Sequence, residues 1–99
     1  MRNSNYKLVT GPSIIKPPIT QRLKVGYVEL EKGAEVGEHV TSQKEEAIIV
    51  ISGEAKVVIE GENIKAKAGE LVYVGPDKKH NVINENSLTL KYVYVVCNI

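Results

Sequence analysis

Cysteine is scarce: Cys97 is the only one in 99 residues, so no intramolecular disulfide can form, which fits a reducing compartment. Long apolar runs are missing as well. No stretch approaches membrane-spanning length and no N-terminal apolar core of signal-peptide size is present, so a cytoplasmic location without a membrane partner is expected. Charge of one sign is also lacking. The formal balance is +1 and the tightest basic cluster is Lys78-Lys79, too little for a phosphate-backbone footprint, so no nucleic-acid partner is expected. There is no fixed-period repeat, no low-complexity segment and no sustained helical period. What remains is one ordinary globular domain, 42% hydrophobic and 25% charged, just long enough for a single core.

Short strands and turns fill that domain. Residues 1–18 are polar and then proline-punctuated (Pro12, Pro17, Pro18), which reads as an arm or edge segment whose Ile14-Ile15 pair suits a dimer contact. Residues 19–99 read as one barrel-forming unit. Residues 21–31 alternate polar and apolar before a Lys32-Gly33 turn. Residues 54–67 read as a hairpin turning at Glu60-Gly61-Glu62-Asn63. Leu71-Val72-Tyr73-Val74 is another strand, ended by the turn chemistry of Gly75-Pro76-Asp77. His80–Asn84 follows, and the last strand runs from Leu88 to Val96. Turn signals every eight to twelve residues predict an all-β sandwich or barrel, closed to hide its edges.

The densest chemistry lies in residues 33–53, GAEVGEHVTSQKEEAIIVISG. Ala47–Ile51 is a short β-branched run that reads as a buried strand. An extended Glu38–Thr41 would place His39 and Thr41 on one face. A histidine and a carboxylate delivered by neighbouring strands make a metal or acid–base site.

Two glycine-bounded blocks resemble the two motifs of the cupin family. Gly33, His39, Thr41, Glu46 and Gly53 follow the spacing G-x5-H-x-H-x3-4-E-x6-G, with threonine in place of the second histidine. Gly69, His80 and Asn84 follow G-x5-P-x-G-x2-H-x3-N, with Gly75 at the proline place, Pro76 one place late and Asp77 at the glycine place. The resemblance covers about residues 21–97 and implies a small β-barrel of jelly-roll (double-stranded β-helix) type with two facing antiparallel sheets.

The resemblance further implies that His39, Glu46 and His80 hold one divalent transition metal (Fe, Mn, Ni, Cu or Zn), with Thr41 at the usual fourth-ligand place and Gln43 as a weak substitute. Thr41 either lines the substrate pocket with its hydroxyl or simply fills a strand position that suits a β-branched residue. A buried Glu46 needs a cation or donors facing it, whereas alternation turns Glu45 to the opposite, solvated face. Asn84 suits a turn-fixing role, and Lys78 and Lys79 suit a solvated loop at the barrel mouth. Tyr27, Tyr73, Tyr92 and Tyr94 read as core or interface aromatics, with the inward-facing ones unassigned, and Cys97 as a packing residue. The expected function is a metal-binding cupin that binds or acts on a small oxygen-rich metabolite such as a sugar or keto acid. An enzyme of this kind would be an oxygenase, isomerase or lyase. The alternative is a metal-free, non-catalytic module that binds a ligand or dimerises. A homodimer is implied in either case, through the arm and the apolar final strand.

Overall fold

The computed structural model describes residues 16–18 and 20–99. The N-terminal arm falls almost entirely outside the described residues, and its Ile14-Ile15 contact wholly so. Eight strands follow: β1 (Leu23–Leu30), β2 (His39–Val40), β3 (Lys44–Ser52), β4 (Glu54–Ile59), β5 (Glu62–Lys67), β6 (Leu71–Val74), β7 (Lys79–Ile83) and β8 (Leu90–Asn98). They form two four-stranded antiparallel sheets, ordered β1-β8-β3-β6 and β2-β7-β4-β5. No helix among the described residues is long and apolar enough to cross a membrane.

Residues paired across a ladder share a face. In the first sheet Gly26, Tyr94, Ile48 and Val72 therefore make an inward row, while Val25, Val95, Ala47 and Tyr73 make an outward one. The inward residues Ile48, Val50, Val72, Val74, Leu90 and Tyr92 meet Ala55, Val57, Ala66 and Val82 of the second sheet in one buried cluster. That shared core holds the sheets face to face. Hydrogen bonding does not close them into one continuous barrel: among the described residues each ladder ends at its own edge strands, so the jelly roll is a two-sheet sandwich.

The turns between strands carry the chain from one sheet to the other. The ladder of β3 with β8 shifts register between Val50 and Ser52, and Gly53 (φ 85°) then turns the chain out of the first sheet into β4. The β4–β5 hairpin is tighter than the sequence suggests. Its strands pair to Ile59 and Glu62, leaving a two-residue turn of Glu60 (φ 48°) and Gly61 (φ 82°). Two left-handed residues match the twist of the flanking strands.

Candidate metal centre and its cavity

Strand pairing and sheet packing together assemble the site. His39 on β2 lies directly opposite His80 on β7, so both rings leave the second sheet on one face, with centroids 4.1 Å apart. Glu46 comes from β3 in the first sheet, two residues before the buried Ile48 and on the same inward face. Its neighbour Glu45 faces outward and accepts a 2.8 Å hydrogen bond from the Tyr73 hydroxyl. One ligand atom from each of His39, Glu46 and His80 lies within 4.8 Å of the others.

Hydrogen bonds fix which ring atoms are available. A carbonyl can only accept, so Nδ1 of His39 donates to Gly37 O (2.8 Å) and Nδ1 of His80 donates to Lys78 O (3.2 Å). In the neutral rings both Nε2 atoms then carry lone pairs. His80 Nε2 faces Glu46 Oε1 at 3.2 Å in the interior, where His80 is 1% and Glu46 8% exposed. Two acceptors cannot bond each other, so the pair requires a proton or a cation between them. Accordingly, the hydrogen bond to Glu46 raises the His80 pKa against the opposing effect of burial, helped by the Lys78 carbonyl and the charge on Glu46. Two imidazole nitrogens and a carboxylate are also the donor set that divalent transition metals favour, so the residues fit such an ion.

The loop bearing His39 is tied down by Asn81, which carries no signal in the sequence. Its Oδ1 accepts the Gly37 N–H (2.8 Å) and its Nδ2 donates to Glu35 (3.0 Å), coupling the residue beside His80 to the loop before His39. Asn84, fully buried, donates from Nδ2 to Leu30 O and Leu88 O and accepts the Asn86 N–H. It fixes the turn after β7 and touches no ligand atom.

A cavity of about 340 Å³ opens between the sheets, lined by His39, Thr41, Glu46 and Tyr92 among others. Thr41 is 5% exposed and its hydroxyl donates to Gly75 O at 3.1 Å. Its backbone carbonyl accepts the Asp77 N–H at 2.8 Å, so Thr41 is bound to the β6–β7 loop while still lining the cavity. Gln43 is exposed in the turn before β3, at φ 56°. Of the tyrosines, Tyr92 and Tyr94 line the cavity, while Tyr27 and Tyr73 face outward and donate to Glu29 and Glu45. Burial first, then the charge of Glu46 and Tyr94, pushes the Tyr92 pKa well above its ordinary value, so it stays a neutral phenol. Lys78 and Lys79 are exposed, and Lys79 pairs with Glu38 at 4.0 Å. The cavity's lysines are instead Lys24 and Lys44, placed by β1 and β3.

A family model for the cupin domain matches residues 26–96. The chain belongs to the cupin family. No curated protein sequence matches it. Solved cupin structures do. The cupin domain of Schizosaccharomyces pombe Cnp3 superposes with a TM-score of 0.80 at 16% identity, over 88% of this chain and 62% of that one. This chain thus spans under two thirds of that protein's solved length. A cupin protein from Bacteroides fragilis gives 0.73 at 25% identity, over 79% of this chain and 67% of that one. A Thermotoga maritima protein described as a predicted oxalate decarboxylase gives 0.71 at 17%, over 78% and 81%. At these identities the likeness is one of fold. The departures of this cupin from its family's second motif have a physical reading. Asp77, at the glycine place, adopts the left-handed φ of 59° that glycine would otherwise supply, and its Oδ1 accepts the Gln43 N–H at 3.1 Å. Aspartate is one of the few residues that tolerate this conformation.

Proposed function

We propose that this cupin binds one divalent transition metal through His39, Glu46 and His80 and takes a small oxygen-rich metabolite into the adjoining cavity. The observation that carries this reading is the facing acceptor pair, His80 Nε2 and Glu46 Oε1 at 3.2 Å, with His39 completing a three-donor group within 4.8 Å. A metal there would supply a Lewis acid to a bound ligand. The chain's own residues orient the ligand atoms: Gly37 and Lys78 hold the two imidazoles through Nδ1, and the sheets exclude water from Glu46 and His80.

The competing reading, a metal-free ligand-binding module, draws support from the same pair, because a single proton also satisfies it, and from Thr41 at the fourth place. Metal analysis of protein purified without an affinity tag separates the two. About one equivalent of transition metal, restored after chelation by adding Mn, Fe, Ni, Cu or Zn, is expected. Less than about a tenth of an equivalent under every condition would leave the metal-free module standing.

Thr41→His should tighten metal binding by about tenfold or more, since it adds a good donor where a hydroxyl now serves the Gly75 carbonyl. Competition against a chromogenic chelator measures this, and an unchanged affinity would remove Thr41 from the fourth place.

The outer face of the first sheet supports self-association. Two adjacent outward rows, Val25-Val95-Ala47-Tyr73 and Tyr27-Val93-Ile49-Leu71, are almost wholly apolar, with Leu71 58% and Tyr73 57% exposed. Contiguous apolar surface of this kind marks an interface. A second copy of the chain suits it, because the tyrosine hydroxyls already bond Glu29 and Glu45 within the chain and a flat apolar face is complementary to itself. Light scattering at micromolar concentration should give a dimer, and Val93→Lys a monomer. A monomeric wild type would exclude this interface.

A further inference from the structure

The wall of the cavity opposite the histidines carries polar groups that the metal site does not use. Lys24 belongs to the inward row Lys24-Val96-Glu46-Val74, and Lys44 lies two residues before Glu46 on the same face. Both line the cavity. Neither has an ion-pair partner among the described residues, whose three bridges are Lys56–Glu85, Lys79–Glu38 and His80–Glu46. The Lys24 ammonium instead sits 5.8 Å from the centroid of the Tyr94 ring, another lining residue. One row further out, Lys44 pairs with Asn98, whose N–H donates to Arg22 O at 3.2 Å. Lys24 and Lys44 therefore both belong to this end of the inner face.

Tyr92 adds an independent observation. It is 3% exposed, and its hydroxyl makes no hydrogen bond to any described residue. Yet no described polar side-chain atom is both sealed from solvent and unpartnered. Its oxygen must therefore open onto the cavity it lines. A nearly buried hydroxyl without a protein partner is costly to keep unless something in the cavity accepts from it. The remaining walls are largely valine: Val28, Val36, Val40, Val82 and Val96.

We propose that the cavity binds a small carboxylate-bearing molecule, its negative group facing Lys24 and Lys44 and one of its oxygens accepting a hydrogen bond from the Tyr92 hydroxyl. This rests on the ligand-binding half of the function proposed above and is independent of the metal half. The valine walls suit a short apolar body. Two lysines and one hydroxyl, partly offset by the Glu46 carboxylate that lines the same cavity, suit a single negative charge with few acceptors. A phosphate would bring more charge and more oxygens than these donors can satisfy. The volume, about 340 Å³, lies at the small end of ligand sites.

The test is a titration of chelator-treated, metal-free protein with pyruvate at low ionic strength, followed by amide chemical shifts, with inorganic phosphate and glycerol as comparison probes. Pyruvate should shift residues of β1, β3 and β8 around Lys24, Lys44 and Tyr92 saturably, with a Kd on the order of 1 mM. Lys24→Gln and Lys44→Gln should each weaken binding about five- to tenfold, and added salt should weaken it further. Tyr92→Phe, which keeps the ring in the core, should weaken it about threefold to tenfold. Phosphate and glycerol should bind at least about tenfold more weakly than pyruvate. No saturable shift by about 50 mM pyruvate, tens of times the expected Kd, would overturn the proposal. So would equal affinity in all three variants, or phosphate binding more tightly than pyruvate. A separate metal titration of the same samples keeps the two readings apart. Pyruvate binding without metal uptake sinks only the metal site, and metal uptake without pyruvate binding sinks only this proposal.

Discussion

His39→Ala and His80→Ala are each expected to weaken metal binding by at least about a hundredfold, because losing even the hydrogen-bond partner of a metal ligand typically costs about 10–100-fold. The two variants should differ in stability. His39 is exposed on a two-residue edge strand, so its loss should leave the unfolding midpoint near that of the wild type. His80 is 1% exposed and, among the described residues, is the only side-chain hydrogen-bond partner of the buried Glu46, so His80→Ala strands a carboxylate in the core. Chelator competition and urea unfolding on the same samples separate these effects. Metal retained in both variants would place the site elsewhere. In metal-free protein the His80–Glu46 contact also has a pH signature. A raised histidine pKa means that its stabilisation is fully present below the ordinary value of 6.5 and is lost as pH rises through the folded-state value. Stability of the metal-free wild type should therefore fall across that window, and His80→Ala should remove that part of the slope.

Gly53→Ala should cost roughly 2–4 kcal/mol, combining left-handed strain with backbone overpacking. At φ 85° the position disfavours any side chain, and an added Cβ would lie 2.8 Å from Thr89 O and 3.1 Å from Leu90 Cα. Both are backbone atoms of the segment entering β8, so no flexible side chain can give way. Gly69→Ala is the control. Its φ is 87° but nothing lies within 4 Å of the added methyl, so only the conformational cost of about 1–2 kcal/mol remains. Equal losses in the two variants, measured by urea unfolding, would show that the Thr89 contact relaxes.

The parts of this protein that sequence reveals are those governed by local chemistry. Gly53 and Gly69 stand where the chain needs a left-handed residue, and Asp77 shows that a motif place can keep its conformation while changing its residue. Alternation along β3 separates the inward Glu46 from the outward Glu45 within one strand. The lysines of the cavity are a different matter. Lys24 faces inward because β1 pairs with β8 in one register, and a slip of a single residue would turn it to the outer face. Nothing near Lys24 in sequence specifies that register. The same holds for the tyrosines, whose division into cavity residues (Tyr92, Tyr94) and outer-face residues (Tyr27, Tyr73) depends on which strands lie side by side. His39 and Thr41 line one cavity, but not as neighbours on one strand: β2 ends at Val40, and Thr41 is held by the Gly75 carbonyl.

The two sheets share a core but no ladder, and the candidate metal group draws Glu46 from one sheet and both histidines from the other. An ion held by all three would therefore act as a cross-brace between two sheets that share no strand ladder. By mass action a ligand at a hundred times its Kd adds about 2.7 kcal/mol to the folded state. For a chain of this size such a gain is a large share of the whole, so metal supply would set how much of the protein survives heat or proteolysis.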